Sequence, residues 1–387
     1  MANEKQIRIV YCTPALYLAG GMERVITIKA NYFAEHYNYD VTIVITDGKG
    51  KEPFYSLSKK INVINLDINF EELWNQPFHK KIILYLKKQR LYKRKLSDCL
   101  MKLHPDITIS MLRREINFLT SLHDGSKKIG EIHINKAHFR TYEEHESNFI
   151  KNCFSRYWRH SLVANLKRLD RFVVLTEEDK KAWSELSNVE VIPNPLSFTP
   201  TFSNNLSNKR IIAVGRYCHE KGYDHLLRAW ATIQDRCEGW RLDIYGDGDR
   251  STYEEFIDKF NIDRNRCKLN STTKEIQKEF GRSALAVCSS RFEGFGLAII
   301  EAMACGVPVV SFDCPWGPRS IIHDGSDGIL VENGNVNKLA EAIDKTIHDN
   351  ELRIKMSNNA KISAQRFCIE AIAEKWKNLF ENIIDSK

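Results

Sequence analysis

Ser289-Ser290-Arg291-Phe292-Glu293-Gly294-Phe295-Gly296-Leu297-Ala298-Ile299-Ile300-Glu301-Ala302-Met303-Ala304-Cys305-Gly306-Val307-Pro308 is the stretch that decides the fold. It reads as the end of a strand, a loop with two glycines, a short amphipathic helix and a glycine stop. Gly294 and Gly296 let the backbone approach a ligand closely. The helix opening beyond them offers free N–H groups and a positive dipole end to an anion. Gly306 and Pro308 close that helix on the expected side. Two carboxylates bracket the device, Glu293 on the loop and Glu301 about five residues into the helix, roughly 7–8 Å along it. A carboxylate can accept from two hydroxyls at once, so paired hydroxyls are natural partners. Taken alone, Glu293 reads as an ordinary loop acid, whereas Glu301 sits among Ile299, Ile300, Ala302 and Ala304, which argues against full exposure.

Working outward, the apolar run Ile211–Val214 leads into Gly215-Arg216-Tyr217-Cys218-His219-Glu220-Lys221-Gly222. These residues follow the carboxyl end of a strand, where open α/β sheets bind ligands. Arg216 and Lys221 can both converge there on a diphosphate. The alternative is a surface ion-pair cluster with Glu220.

Short β-branched runs recur along the chain with helical patterns between them. The first series is Ile7–Cys12, Val41–Thr46, Asn62–Leu66, Ile107–Met111, Ile129–Ile134, Phe172–Thr176 and Glu190–Pro193. The second is Ile211–Gly215, Leu242–Gly246, Cys267–Leu269, Ala284–Ser289, Pro308–Phe312 and Gly328–Val331. Such alternation predicts βα units in two mainly parallel sheets. The turn formers from Pro193 to Asn208 suit an interdomain link, and at 387 residues the chain is about right for two domains. The reading is therefore a domain over 1–198, a second over 199–368, and a helix over 369–387. That helix repeats Ile369, Ile372, Ala373, Trp376, Leu379, Phe380 and Ile383 on one face.

With 43% hydrophobic and 28% charged residues the composition is that of a globular protein, not of a disordered or fibrous one. No signal peptide and no membrane-spanning run is evident. The 10 cysteines are scattered without CxxC pairs, which reads as reduced thiols in a cytoplasmic protein. The formal charge of +7 is concentrated between Lys80 and Lys102, where Lys80, Lys81, Lys87, Lys88, Arg90, Lys93, Arg94, Lys95 and Lys102 face one acid, Asp98. Ile82, Ile83, Leu86, Leu91, Leu96 and Leu100 interleave them. This predicts a basic amphipathic helix, either a solvated domain face or one drawn to an anionic membrane or a phosphate-bearing acceptor. No nucleic-acid recognition motif accompanies it, so no nucleic-acid partner is expected.

The joined motifs Gly-Arg-x4-Lys-Gly and Glu-Gly-Phe-Gly-Leu-x3-Glu-Ala-Met-Ala-x-Gly-x-Pro-Val-Val resemble glycosyltransferase family 4, a large retaining family with a GT-B fold. Asp313-Cys314-Pro315-Trp316-Gly317-Pro318 and Asp324-Gly325-x2-Gly328 extend the likeness through the C-terminal half. In the N-terminal half, Gly20-Gly21-Met22-Glu23-Arg24 looks like the family's glycine loop, and Glu131-Ile132-His133-Ile134-Asn135 like the segment holding its active-site histidine, with His138 as a nearby competitor.

The resemblance implies two Rossmann-like α/β/α domains facing a cleft that closes over the substrates, the last helix crossing back to the first domain. It implies catalytic roles for His133, Arg216, Lys221 and Glu293. Donor contacts would come from Gly20, Gly21, Gly246, Asp247, Lys268, Leu269, Asn270, Ser271, Gly294, Phe295, Gly296, Leu297 and Glu301. The Asp247-Gly248-Asp249 turn is read as a nucleotide-side contact and not as a metal site, and no metal or cofactor is expected. The implied partners are a nucleotide-diphosphate sugar, UDP being the family's commonest, and a glycan or lipid-linked acceptor in surface polysaccharide synthesis at the inner face of the plasma membrane. Phe139, Arg140, Tyr142, Phe149, Lys151, Phe154, Arg156, Tyr157, Trp158, Arg159 and Lys167 gather aromatic and basic character suited to an amphipathic acceptor. Two other classes stay open: an epimerase or phosphorylase of similar fold, and a non-catalytic nucleotide-sugar binder.

Overall fold

Both series of β-branched runs form strands in the computed structural model, which describes residues 6–139, 160–202, 204 and 206–385. The first seven are β1 (Arg8–Thr13), β2 (Asp40–Ile45), β3 (Asn62–Asn65), β4 (Ile107–Ser110), β5 (Lys127–Glu131), β6 (Arg171–Val174) and β7 (Val189–Val191). The next six are β8 (Arg210–Val214), β9 (Arg241–Tyr245), β10 (Cys267–Asn270), β11 (Leu285–Cys288), β12 (Val309–Asp313) and β13 (Gly328–Glu332). All neighbouring pairs are parallel. Near-continuous apolar runs such as Ile9–Cys12 are what parallel strands covered on both faces require.

One sheet has the order β3-β2-β1-β4-β5-β6-β7 and the other β10-β9-β8-β11-β12-β13. In each, the strand order reverses once, at β1/β4 and at β8/β11. Loops leaving the carboxyl ends of those four strands flank the crevice where doubly wound sheets take their ligands.

The chain divides into two compact units, Met1–Pro195 with Ile372–Lys387, and Leu196–Ala371. The turn-rich segment expected to be a linker is therefore largely part of the second unit. Leu196 N–H donates to Phe367 O at 2.7 Å, and the buried Asn204 amide donates to Ser283 O at 2.7 Å. Side-chain amides that satisfy buried carbonyls fix a segment that composition alone marks as loose.

The last helix, Ile369–Asp385, returns to the first unit, as its apolar face requires. Phe380 is fully buried and meets Phe33 edge-on at 5.6 Å, while Trp376 is 1% exposed. Each such ring contributes about 2–3 kcal/mol on burial.

The basic helix spans Phe78–Leu103, but its apolar residues are not one buried stripe. Tyr92, Leu96 and Leu100 are buried in the core beneath it, whereas Ile82, Ile83 and Leu86 are 45–57% exposed. The first half touches the core only through the partly buried Leu84 and Tyr85.

Candidate functional site

In the second unit the β8/β11 switch point collects the charged residues of both motifs. The loop after β8 carries Arg216 and Lys221, and the loop after β11 carries Glu293. Lys221 Nζ lies 2.6 Å from Glu293 Oε1, which also accepts from Ser290 Oγ at 2.6 Å. Burial pulls the Lys221 pKa down, yet the Glu293 carboxylate and the Cys288 thiol more than offset it, so the ammonium titrates above the usual lysine range. Burial with Glu293 alongside pushes the Cys288 thiol up.

The two loops are tied together by their backbones. Arg291 N–H donates to Glu220 O at 2.8 Å, and Ser289 Oγ donates to Lys221 O at 2.9 Å. Arg291 also forks onto both oxygens of Asp224 at 2.9 and 2.7 Å, a bidentate pair that fixes orientation as well as distance. A β-carbon at Gly222 would stand 2.1 Å from Ser289 O, which explains the glycine in the Lys-Gly motif.

Arg216 differs from Lys221. Its side chain is exposed, and among the described residues the guanidinium makes no hydrogen bond or ion pair. The structure thus presents one committed cation and one uncommitted one at the same strand end.

The helix Leu297–Ala304 starts at Gly296, whose φ of +106° places it in the left-handed region. Its side chains supply no cap at that end, leaving first-turn N–H groups for an anion. Phe295 is buried against Phe367 at 5.6 Å, so it can offer a ligand only its backbone. Gly294 and Leu297 are half-buried on either side. Gly317, φ +109°, backs this loop, since a β-carbon there would lie 2.2 Å from Phe295 O.

Glu301 is 2% exposed, and its Oε1 accepts from Ser197 Oγ at 2.5 Å. Its apolar neighbours in sequence argue against full exposure but give no sign of this partner, which comes from about a hundred residues upstream. At the carboxyl ends of β9 and β10, Gly246 fits against Gly215 O, where a β-carbon would stand at 2.0 Å. Asp247 is exposed and its carbonyl accepts from Tyr217 N–H at 2.7 Å. Asn270 O accepts from Tyr217 Oη at 2.9 Å, Lys268 and Ser271 are exposed, and Leu269 packs on the core. Tyr217 therefore holds both turns. Among the described residues no group of His, Cys, Asp and Glu has metal-ligating geometry.

In the first unit Gly20 precedes the helix Gly21–His36, and the Glu23 carboxylate folds against it; a β-carbon at Gly20 would fall 2.1 Å from Glu23 Oε2. Burial raises the Glu23 pKa, partly offset by its own backbone N–H, Arg113 and His133. His133 lies two residues past β5, because the strand expected to run to Ile134 stops at Glu131. Its Nε2 sits 3.2 Å from Glu131 Oε1. Glu131 in turn forms a buried ion pair with Lys29, and the Lys29 ammonium lies 4.3 Å from the Trp376 ring centroid.

Sequence reasoning missed Lys29. It occupies the same helix face as Val25 and Phe33, four residues to either side, so the periodicity that marked the apolar stripe held the signal. Of the aromatic and basic acceptor cluster, residues 140–159 lie outside the described residues, as does the side chain of His138; Phe139 is half-buried and Lys167 exposed.

Residues 200–363 match the family described as glycosyl transferases group 1. An uncharacterized glycosyltransferase of Haemophilus influenzae is 28% identical over 366 residues, covering 93% of this chain and 96% of that protein. The poly(ribitol-phosphate) α-N-acetylglucosaminyltransferase of Staphylococcus aureus is 28% identical over 265 residues, 67% of this chain and 52% of that protein, so this chain matches about half of its length. A mutant of S. aureus TarM solved with fondaparinux, α-GlcNAc-glycerol and UDP superposes with a TM-score of 0.74 at 19% identity, covering 97% of this chain and 100% of that one. The chain has the GT-B fold and is a glycosyltransferase.

Proposed function

We propose that this glycosyltransferase is a retaining member of family 4 that moves a hexose or N-acetylhexosamine from a UDP-sugar to a glycan or lipid-linked acceptor in cell-surface polysaccharide synthesis. The observation that carries the donor half is the β8/β11 switch point, where the unpartnered Arg216, the paired Lys221 and the uncapped helix start at Gly296 stand on adjacent strand ends. A diphosphate needs this combination of guanidinium, ammonium and oriented N–H groups. The TarM complex, which holds UDP, supports the choice of nucleotide, and the poly(ribitol-phosphate) α-N-acetylglucosaminyltransferase supports a polymer as acceptor.

In this reading Glu301 and the turns at Gly246–Asp247 and Lys268–Ser271 hold the nucleoside. Glu293 and the Gly294–Leu297 amides hold sugar hydroxyls. The reaction is a same-face displacement: the anomeric C–O bond to phosphate breaks as the acceptor oxygen bonds from the same side. The departing phosphate oxygen takes the acceptor proton. Arg216 and Lys221 stabilise the charge that develops on the leaving diphosphate, work done without a metal. His133 supports the sugar and the developing positive charge.

The acceptor side includes a membrane surface. Trp74 is 68% exposed and lies just ahead in sequence of exposed Ile82, Ile83 and Leu86, among exposed Lys80, Lys81, Lys87 and Arg90. Apolar side chains beside lysines suit an interfacial helix on anionic lipid. Among the described residues no helix is long and apolar enough to cross a bilayer.

A panel of nucleotide-sugars, assayed for release of nucleoside diphosphate with and without acceptor, tests the function. Turnover of one UDP-sugar with an α-linked product from an α-linked donor is expected. An inverted product, or conversion of the sugar-nucleotide with no acceptor present, would refute the reading. Sedimentation with vesicles containing anionic lipid tests the surface; equal recovery with neutral vesicles would remove it.

A further inference from the structure

The buried Lys29–Glu131 ion pair is unexplained by the donor site, and it joins three elements of the first unit. Lys29 belongs to the helix Gly21–His36, Glu131 ends β5, and Trp376 covers the ammonium from the C-terminal helix. Both charged side chains are no more than 2% exposed. An ion pair so deep is expensive to desolvate, and apolar residues of equal volume would commonly serve stability as well. Its retention therefore asks for a use.

The contacts around Glu131 point to one. Oε1 faces both Lys29 Nζ and His133 Nε2, the latter at 3.2 Å, while Oε2 has no hydrogen-bond partner among the described residues. His133 Nε2 is itself buried and forms no aligned hydrogen bond among the described residues. A slight rotation of the imidazole would make Nε2–H donate to Glu131 and leave Nδ1 for a ligand, the arrangement by which a carboxylate fixes tautomer and ring orientation. The other charges about His133 are Glu23 on the first helix and Arg113 after β4, which both bear on the same corner.

We infer that Glu131 is a positioning residue for His133, that Lys29 keeps the Glu131 carboxylate ionised for that task, and that Trp376 makes docking of the C-terminal helix a condition for it. This rests on the role given to His133 above. Burial pushes the Glu131 carboxyl up, but Lys29 and His133 override it and hold it at about 2. Lys29 has no other counter-charge among the described residues, and burial lowers its own pKa against the pull of Glu131.

The test compares Glu131→Gln, Lys29→Met, the double variant Lys29→Met/Glu131→Gln and His133→Ala, reading kcat, donor KM and Tm on the UDP-sugar found by the panel. Each single charge removal is expected to lower both Tm and kcat. The double variant removes both charges, so it should regain Tm while kcat stays at least tenfold down and donor KM stays within about twofold of wild type. A double variant that recovers kcat together with Tm would show the pair to be structural only and overturn the inference. An active His133→Ala would instead refute the role given to His133. Independently of folding, wild-type protein labelled with 15N-histidine should show His133 protonated on Nε2; an Nδ1–H tautomer would overturn the inference.

Discussion

Arg216→Met separates function from stability more cleanly than any other substitution in the donor site. The guanidinium is exposed and unpartnered among the described residues, so its loss breaks nothing in the folded chain and should move stability by no more than about 0.5 kcal/mol. For a domain of this size that is a Tm change of about 1–2 °C. Toward a diphosphate the same group offers up to five donors and a full charge. A charge-assisted hydrogen bond is worth about 1.5–3 kcal/mol, so UDP should bind roughly 10- to 150-fold more weakly. If the contact tightens as the leaving group departs, kcat should fall a further 10²–10³-fold, the usual cost of removing one donor aimed at developing charge. Calorimetric titration with UDP, differential scanning fluorimetry and nucleoside-diphosphate release measure the three quantities on one preparation. Unchanged UDP affinity and near wild-type turnover would refute the diphosphate assignment, since no loss of folding could mask the result.

Lys221→Met should behave differently, because it leaves Glu293 part-buried without its cation. Turnover should fall at least 10²-fold and stability by about 1–2 kcal/mol, discounted for the 23% exposure of the lysine. Urea unfolding alongside the activity assay would read both, and a stability equal to that of Arg216→Met would contradict the pairing. Gly317→Ala puts a β-carbon 2.2 Å from Phe295 O at φ +109°, and should cost at least 1–3 kcal/mol while displacing the Glu293 loop; an unshifted urea midpoint would count against that packing. Glu131, depressed from 4.5 to about 2, gives stability that is fully present above pH 4.5 and is lost as pH falls toward 2. At 1.36 kcal/mol per unit this is about 3 kcal/mol, and Glu131→Gln should flatten that part of the acid-unfolding curve.

The alternation of β-branched runs and helical patterns set out all thirteen strands found among the described residues, with ends displaced by at most three residues, because parallel strands buried on both faces must be written in apolar residues. The glycine-acid stretch at 289–308 likewise carried its own geometry, since a helix start, its glycine and the neighbouring acid are local features. Sequence periodicity could not distinguish the exposed Ile82, Ile83 and Leu86 from the buried Leu96 and Leu100 on one helix, because burial depends on what lies beneath. Nor could it attach Ser197 to Glu301, or assign the segment after Pro195 to the second unit. The same holds for Lys29, whose counter-charge and aromatic cover come from about 100 and 350 residues downstream. What one turn or strand end needs is spelled out in adjacent residues. A buried charge is tolerated only where distant elements converge on it, and that convergence exists only in the folded chain.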